Sequence, residues 1–257
     1  MTAAGDQLWH QDSINVEDTA ALGDSFGKSL AAGDFDGDGY DDLAVGVPNE
    51  DVGGFAGAGA VNVLYGTASG LSANRDQFWH QNSSGVPDSL EANDRFGASL
   101  ATGDFDGDAF DDLAIGVPYE EVNGQNGAGA VNVLYGTANG LSYSGSQMWY
   151  QDVTDIIGAC EPFDRFGYAL ATGDFDQSGQ ADLAVGVPYE DLGVFVDAGM
   201  VNVIYGSPAG LSATGNQGWH QNVSDVNDIA EGDDRFGWSL AAGGMRYPLF
   251  VPEVLKQ

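Results

Sequence analysis

Phe-Gly recurs at Phe26, Phe96, Phe166 and Phe236, 70 residues apart each time, and Trp9, Trp79, Trp149 and Trp219 keep the same interval. A fixed period of this kind constrains the fold more than any other feature, because the chain must stack copies of one supersecondary unit. Residues 26–48 read FGKSLAAGDFDGDGYDDLAVGVP and residues 96–118 read FGASLATGDFDGDAFDDLAIGVP, identical at 18 of 23 positions. The copy at 166–188, FGYALATGDFDQSGQADLAVGVP, is looser.

No segment of a unit keeps the i, i+3, i+4, i+7 pattern of an amphipathic helix over three turns, and Gly or Asp interrupts every apolar run. Four short apolar segments appear instead. In the second copy they begin at Phe96, Asp112, Gly129 and Gln147, and Val131, Val133 and Tyr135 alternate with Asn132 and Leu134 as a strand requires. The 39 glycines among 257 residues are about twice the usual frequency of roughly 7%, without the period of collagen, which fits many turns. Four-stranded units repeated at a fixed interval make either a propeller or a solenoid. A 70-residue unit is too long for one turn of a β-helix, whereas a blade needs about 40–50 residues plus its loops. The prediction is an all-β propeller of four-stranded blades, with long polar connectors such as 81–95 on one rim.

The loop between the first two strands carries the chemistry. Asp34, Asp36, Asp38 and Asp42, with Gly39 for the sharp turn and the backbone carbonyl of Tyr40, stand at positions 1, 3, 5, 9, 6 and 7 of a wrapped loop. Ca²⁺ requires six to eight oxygen ligands, and this spacing supplies them around one point. With no His or Cys in the cluster, zinc and softer metals are disfavoured. The pattern recurs at Asp104, Asp106, Asp108, Phe110 and Asp112, and again at Asp174, Asp176, Ser178, Gln180 and Asp182. Up to three Ca²⁺ sites are therefore expected, with Tyr40, Phe110 and Gln180 acting through backbone carbonyls. The third should be the weakest, since a hydroxyl replaces one carboxylate. An EF-hand would need Glu at position 12 and a following helix. Position 12 is Val45, Ile115 or Val185, inside a short apolar run.

Phe-Gly, then DFDGDGYDDL, then GVP closely resembles the FG-GAP repeat of integrin α-subunit propellers and of related bacterial surface and secreted proteins. The resemblance covers residues 6 to 243. It implies that the Phe-Gly pairs pack between blades and that Gly46-Val47-Pro48 and its copies follow the second strand. It also implies that the Asp loops bind Ca²⁺ on one face and rigidify it, while ligands bind the opposite face or rim. The expected organisation is residues 1–25 as the last strand of a preceding blade and its connector, then blades at 26–95, 96–165 and 166–235. Residues 236–257 are expected as a truncated fourth blade whose tail diverges after Gly244. Three blades make an open arc, because closed propellers usually need at least about four.

The remaining repeated residues are assigned structural roles. Trp-His-Gln at 9–11, 79–81 and 219–221 has Tyr150 in the His register of the third unit, so packing is expected. Arg95, Arg165 and Arg235 follow Asp94, Asp164 and Asp234, and ion pairing with neighbouring carboxylates is expected. Glu50, Glu120 and Glu190 could supplement a cation site or face solvent, and solvent is favoured. The lone Cys160 permits no intrachain disulfide and reads as a free, buried or half-buried thiol.

No catalytic motif is visible. With 39 acidic and 7 basic residues, net charge −32, the chain has no cationic face for nucleic acid or anionic lipid. No stretch approaches the ~18 apolar residues of a membrane span. The three Asp loops hold 13 of the 39 acidic residues when Asp41 and Asp111 are included, and the rest are expected mainly in solvated rim loops. The sequence therefore reads as a non-catalytic, calcium-binding module for adhesion or protein interaction, extracellular or at the cell surface, with an unidentified protein or cell-surface ligand. The absent signal peptide fits a fragment of a longer protein. Alternatives are the accessory propeller of a secreted, phospholipase-like hydrolase, or a structural surface protein that self-associates through open blade edges.

Overall fold

A computed structural model describes residues 5–224 and 226–241. Among them there is no helix, and twelve strands form three antiparallel sheets of four. The first blade holds β1 (Ser29–Gly33), β2 (Asp42–Val47), β3 (Ala60–Tyr65) and β4 (Ser72–Trp79). The second holds β5 (Ser99–Gly103), β6 (Asp112–Val117), β7 (Ala130–Tyr135) and β8 (Ser142–Trp149). The third holds β9 (Ala169–Gly173), β10 (Asp182–Val187), β11 (Met200–Tyr205) and β12 (Ser212–Trp219). Strands pair in sequence order within each blade, and β1, β5 and β9 lie beside one another, so the first strand of each blade is the inner one. This is the open propeller arc that the period predicts.

The middle strands β6 and β7 are buried at every position, which is why they read as near-continuous apolar runs and not as clean alternation. Two large cores lie between blades. One joins Phe35, Ala44, Val61 and Val63 of the first blade to Phe96, Leu100 and Ile115 of the second. The other joins Phe105, Ala114 and Val133 to Phe166, Leu170 and Val185. Phe96 and Phe166 are fully buried, so the Phe-Gly pairs pack between blades as the resemblance implied. Gly46 and Val47 lie inside β2 and do not follow it. Gly46 and Gly116 are needed there because a Cβ would strike the carbonyl of Gly97 or Gly167 in the adjoining blade. At the same contact the hydroxyls of Ser29 and Ser99 donate to those carbonyls, at 2.6 and 2.7 Å.

The ends of the arc differ from the sequence expectation. Residues 5–25, from the stretch expected to hold the last strand of a preceding blade and its connector, form no strand. Gln7 nonetheless donates to the Leu71 carbonyl and accepts from the Leu71 amide, as Gln77 does with Leu141 one repeat later. Of the fourth unit's expected first segment, residues 236–241 form no strand, and its end lies outside the described residues. The divergent tail after Gly244 lies outside them as well. Leu30 on β1 is 58% exposed, whereas Leu100 and Leu170 in the same register are each 9% exposed, because among the described residues no blade covers the outer face of the first.

Register separates the two ends of each blade. Gly33 pairs with Asp42 and Leu43 with Leu64, so the β1–β2 loop lies at one end together with Tyr65 and Gly66. Ser29 pairs with Gly46, Val47 with Ala60 and Val61 with Trp79, which puts the Phe-Gly turns and the exit of β4 at the opposite end. Buried Asn62, Asn132 and Asn202 reach from the third strands to the connectors, donating to the carbonyls of Glu17, Pro87 and Ile157.

Candidate metal centres

The β1–β2 loops bring acidic oxygens together in every blade. Ligand atoms of Asp34, Asp36 and Asp42, of Asp104, Asp106 and Asp108, and of Asp174, Asp176 and Asp182 lie within 4.8 Å of one another in their respective groups. Each loop is wound by its own carboxylates. Asp34 accepts from the amides of Asp38 and Gly39, Asp36 from Asp38, and Asp38 from Tyr40. Asp104, Asp106 and Asp108 repeat this pattern, with Ala109 at a positive φ of 72° in the place of Gly39. In the third loop Asp174 accepts from Gly179, Asp176 from Ser178, and the Ser178 hydroxyl from the Gln180 amide.

The last Asp of each loop has a second task. Asp42 accepts from the amides of Phe35 and Gly66, one on each carboxylate oxygen, at 2.9 and 2.7 Å. Asp112 does so with Phe105 and Gly136, and Asp182 with Phe175 and Gly206. This residue clamps the loop to the end of the third strand, a role that spacing alone does not reveal. Burial, only partly offset by those amides, pushes the Asp42 carboxyl up to about 6 and that of Asp112 to about 8. Burial also raises Asp106 and Asp182.

The loops are not equivalent. Arg75 of β4 forms a 2.9 Å ion pair with Asp36, whose side chain is 3% exposed, and its guanidinium stacks over Tyr65. Register places Gly145 and Gly215 at that position in the other blades, so among the described residues only the first loop carries its own cation. Beside the second loop, Asp106, Asp108, Tyr135, Ser144 and Gly145 line a cavity of about 290 Å³. Loops of neighbouring blades also touch, since the amide of Asp34 donates to the Asp111 carboxylate and the Asp111 amide to the Asp34 carbonyl.

At the opposite end two expectations are corrected. Glu50, Glu120 and Glu190 do not face solvent; they are 4, 1 and 7% exposed. Each accepts a hydrogen bond from a glutamine 39 residues earlier, namely Gln11, Gln81 and Gln151, so the last residue of the Trp-His-Gln motif does more than pack. Asp24, Asp94 and Asp164 are buried too, so part of the surplus acidity is internal and not a solvated rim. Burial pushes the carboxyls of Glu50, Glu120 and Glu190 up to about 8, 10 and 7. Arg95 and Arg165 form no ion pair with a carboxylate among the described residues. Each arginine of the series sits at a positive φ, and its guanidinium stacks on aromatic rings at the Phe-Gly end. Arg95 and Arg165 flank Tyr119 at 4.3 and 4.0 Å, and Arg235 lies over Tyr189 and Trp238. Only Arg235 also meets an acid, Asp233, at 3.4 Å. Cys160 is free and buried as expected, and burial pushes its thiol up to about 11.

The FG-GAP repeat pattern matches three stretches, residues 26–64, 96–134 and 166–204, each running from the Phe-Gly turn through the Asp loop into the third strand. The chain is an FG-GAP repeat protein. Integrin alpha-PS2 of Drosophila melanogaster is 34% identical over 195 residues, 73% of this chain and 13% of that protein. Integrin alpha-8 of Mus musculus is 30% identical over 86% of this chain and 18% of its own length. Phosphatidylinositol-glycan-specific phospholipase D of Bos taurus is 27% identical over 82% of this chain and 24% of its own length. This FG-GAP chain thus spans under a quarter of the length of these relatives.

Proposed function

We propose that the chain is a calcium-stabilised propeller module for adhesion or protein interaction, without catalytic activity of its own, acting outside the cell or at its surface. The observation that carries this reading is the convergence of three carboxylates in each of three β1–β2 loops at one end of the arc. The donors are oxygen only and the loops are wound by backbone amides, which suits a hard divalent cation held by a flexible shell of carboxylates and carbonyls. Asp34, Asp36, Asp38 and Asp42 would hold the first ion, with Asp104, Asp106, Asp108 and Asp112 holding the second and Asp174, Asp176, Ser178 and Asp182 the third. The backbone carbonyls of Tyr40, Phe110 and Gln180 would complete the shells. The ion supplies charge neutralisation and loop rigidity. The likeness to integrin alpha subunits supports a protein or cell-surface ligand and an extracellular setting.

Thermal unfolding with calcium, with magnesium and with chelator tests the reading. A ligand bound only by the folded state stabilises it by mass action. At calcium ten times a dissociation constant on the order of 10⁻³ M, each site contributes about 1.4 kcal/mol. Equal melting temperatures in the three conditions would refute the metal assignment. The likeness to a phospholipase D favours a second reading, an accessory propeller of a secreted hydrolase. A catalytic domain elsewhere in the same gene would distinguish it.

A further inference from the structure

At the Phe-Gly end of the junction between the first two blades, three acidic side chains converge, and one of them holds a buried amide. Glu91, Asp94 and Glu120 each bring a carboxylate oxygen within 4.8 Å of the others. Asp94 is 3% exposed and Glu120 1%. Gln81, also 1% exposed, turns its amide head to Glu120 and donates from Nε2 to Glu120 Oε2, and its Oε1 is left without a hydrogen-bond partner. Asp88 stands beside Glu120 as a fourth carboxylate. No salt bridge from Lys or Arg reaches this group among the described residues.

Buried carboxylates need positive charge or protons, and a buried amide oxygen needs a donor or a cation. A proton on Glu120 would relieve the carboxylates, but it satisfies Gln81 Oε1 only if the amide turns over, which takes Nε2 away from Glu120. One bound cation answers both needs. We propose that Glu91, Asp94 and Glu120, with Gln81 Oε1, form a fourth divalent-cation site of calcium type, at the end of the blade opposite the Asp loops. All its donors are oxygens and they come from three separate stretches of chain, a combination that suits the tolerant coordination of Ca²⁺ better than the strict octahedron of Mg²⁺. Gln81 and Asp94 bound the connector that joins the blades, whereas Glu120 follows β6 of the second blade, so the ion would fasten the connector to the blade it leads into. The copies are less complete. Register gives Gln11, Asp18, Ala21, Asp24 and Glu50 before the first blade, and Gln151, Gly158, Glu161, Asp164 and Glu190 before the third. The middle junction alone among these three holds all four carboxylates.

The test is calcium stoichiometry by isothermal titration on the full chain at neutral pH. Two variant sets are compared: Glu120→Gln, which keeps side-chain volume, and Asp36→Asn/Asp106→Asn/Asp176→Asn, which weakens the loops. The proposal expects the loop variant to retain one equivalent of calcium and to lose it when Glu120→Gln is added. Glu120→Gln alone should lower the wild-type stoichiometry by one. Should the loops bind nothing in the wild type, a single equivalent abolished by Glu120→Gln would still uphold this site while refuting the loop assignment. If Glu120→Gln leaves stoichiometry unchanged in both backgrounds, the cluster is a proton-sharing structural contact and the proposal fails. Circular dichroism of each variant checks folding, and if the triple variant unfolds, Glu120→Gln on wild-type loops decides alone.

Discussion

Leu30, Leu100 and Leu170 offer a test of the open arc in which sequence is held constant and only the neighbour changes. All three stand at the second position of an inner strand, yet Leu30 is 58% exposed and the others 9%. Leu100 packs into the core shared with Phe35 and Ala44 of the preceding blade, and Leu170 into the core shared with Phe105 and Ala114. Truncating a buried leucine to alanine removes its transfer energy and leaves a cavity, together about 2–5 kcal/mol. Leu30→Ala removes a side chain already mostly in water, and such surface changes stay within about 0.5 kcal/mol. A domain of 150–250 residues loses roughly 2–4 °C per kcal/mol. Leu100→Ala and Leu170→Ala should therefore melt about 4–20 °C lower than the parent, and Leu30→Ala within about 2 °C of it. The measurement is circular dichroism melting in excess calcium at micromolar protein. Repeat arrays can lose cooperativity, so coincidence of the tryptophan fluorescence transition is part of the assay. A Leu30→Ala loss as large as that of Leu100→Ala would mean that the outer face of the first blade is covered, and the open arrangement would be wrong. If that loss appeared only at high protein concentration, the cover would be a second copy.

Three further outcomes follow from the same geometry. Without metal, stability should fall as pH rises from about 5 to 8. Glu50, Glu120 and Glu190 have folded-state pKa values raised to about 8, 10 and 7, so the folded state binds more protons than the unfolded one and loses stability as pH climbs through that window. A melting temperature that rises over that range in chelator would contradict their burial. Gly116→Ala should cost roughly 1–3 kcal/mol or more, because the methyl would strike the Gly167 carbonyl across the blade junction. Gly124→Ala, with open space around it, should cost only the strain of its positive φ, and equal losses in urea melts would refute the close-approach argument. Arg75→Ala should raise the calcium affinity of the first loop severalfold in a titration, since Arg75 competes for Asp36 at 2.9 Å. Unchanged affinity would exclude that competition.

Local chemistry was legible in the sequence and tertiary neighbours were not. The Asp loops could be read because the carboxylates of one cluster lie within nine residues of one another, and the blades because apolar runs and turns repeat with the Phe-Gly period. Glu120 could not be read as buried, because its burial depends on Gln81 and Asp94 meeting it from the connector. Arg95 and Arg165 stack on Tyr119 and form no ion pair among the described residues, a choice of partner that depends on a ring brought close by the fold. The signal missed there was the aromatic at Tyr119 and Tyr189, one residue after each proline, in register with the arginines.

The two blade junctions are built from the same sequence pattern, yet their loop contacts differ, most directly where Ala181 stands in the register of Asp111. Between the first and second blades the contact is reciprocal: the Asp34 amide donates to the Asp111 carboxylate, and the Asp111 amide to the Asp34 carbonyl. Between the second and third, Ala181 replaces that carboxylate, and only its amide remains, donating to the Asp104 carbonyl at 2.8 Å. In an array where each unit contacts only its neighbours, stability is approximately a sum of unit and interface contributions, so losing one such hydrogen bond lowers the second interface directly. The gain from Asp111 is itself conditional, because its carboxylate lies near Asp34, Asp41 and Asp104, and burial together with those charges raises its pKa. Cations in the loops would remove that repulsion. Calcium should thus strengthen the first junction more than the second, and a loop ion would act on the seam between blades as well as on the turn that holds it.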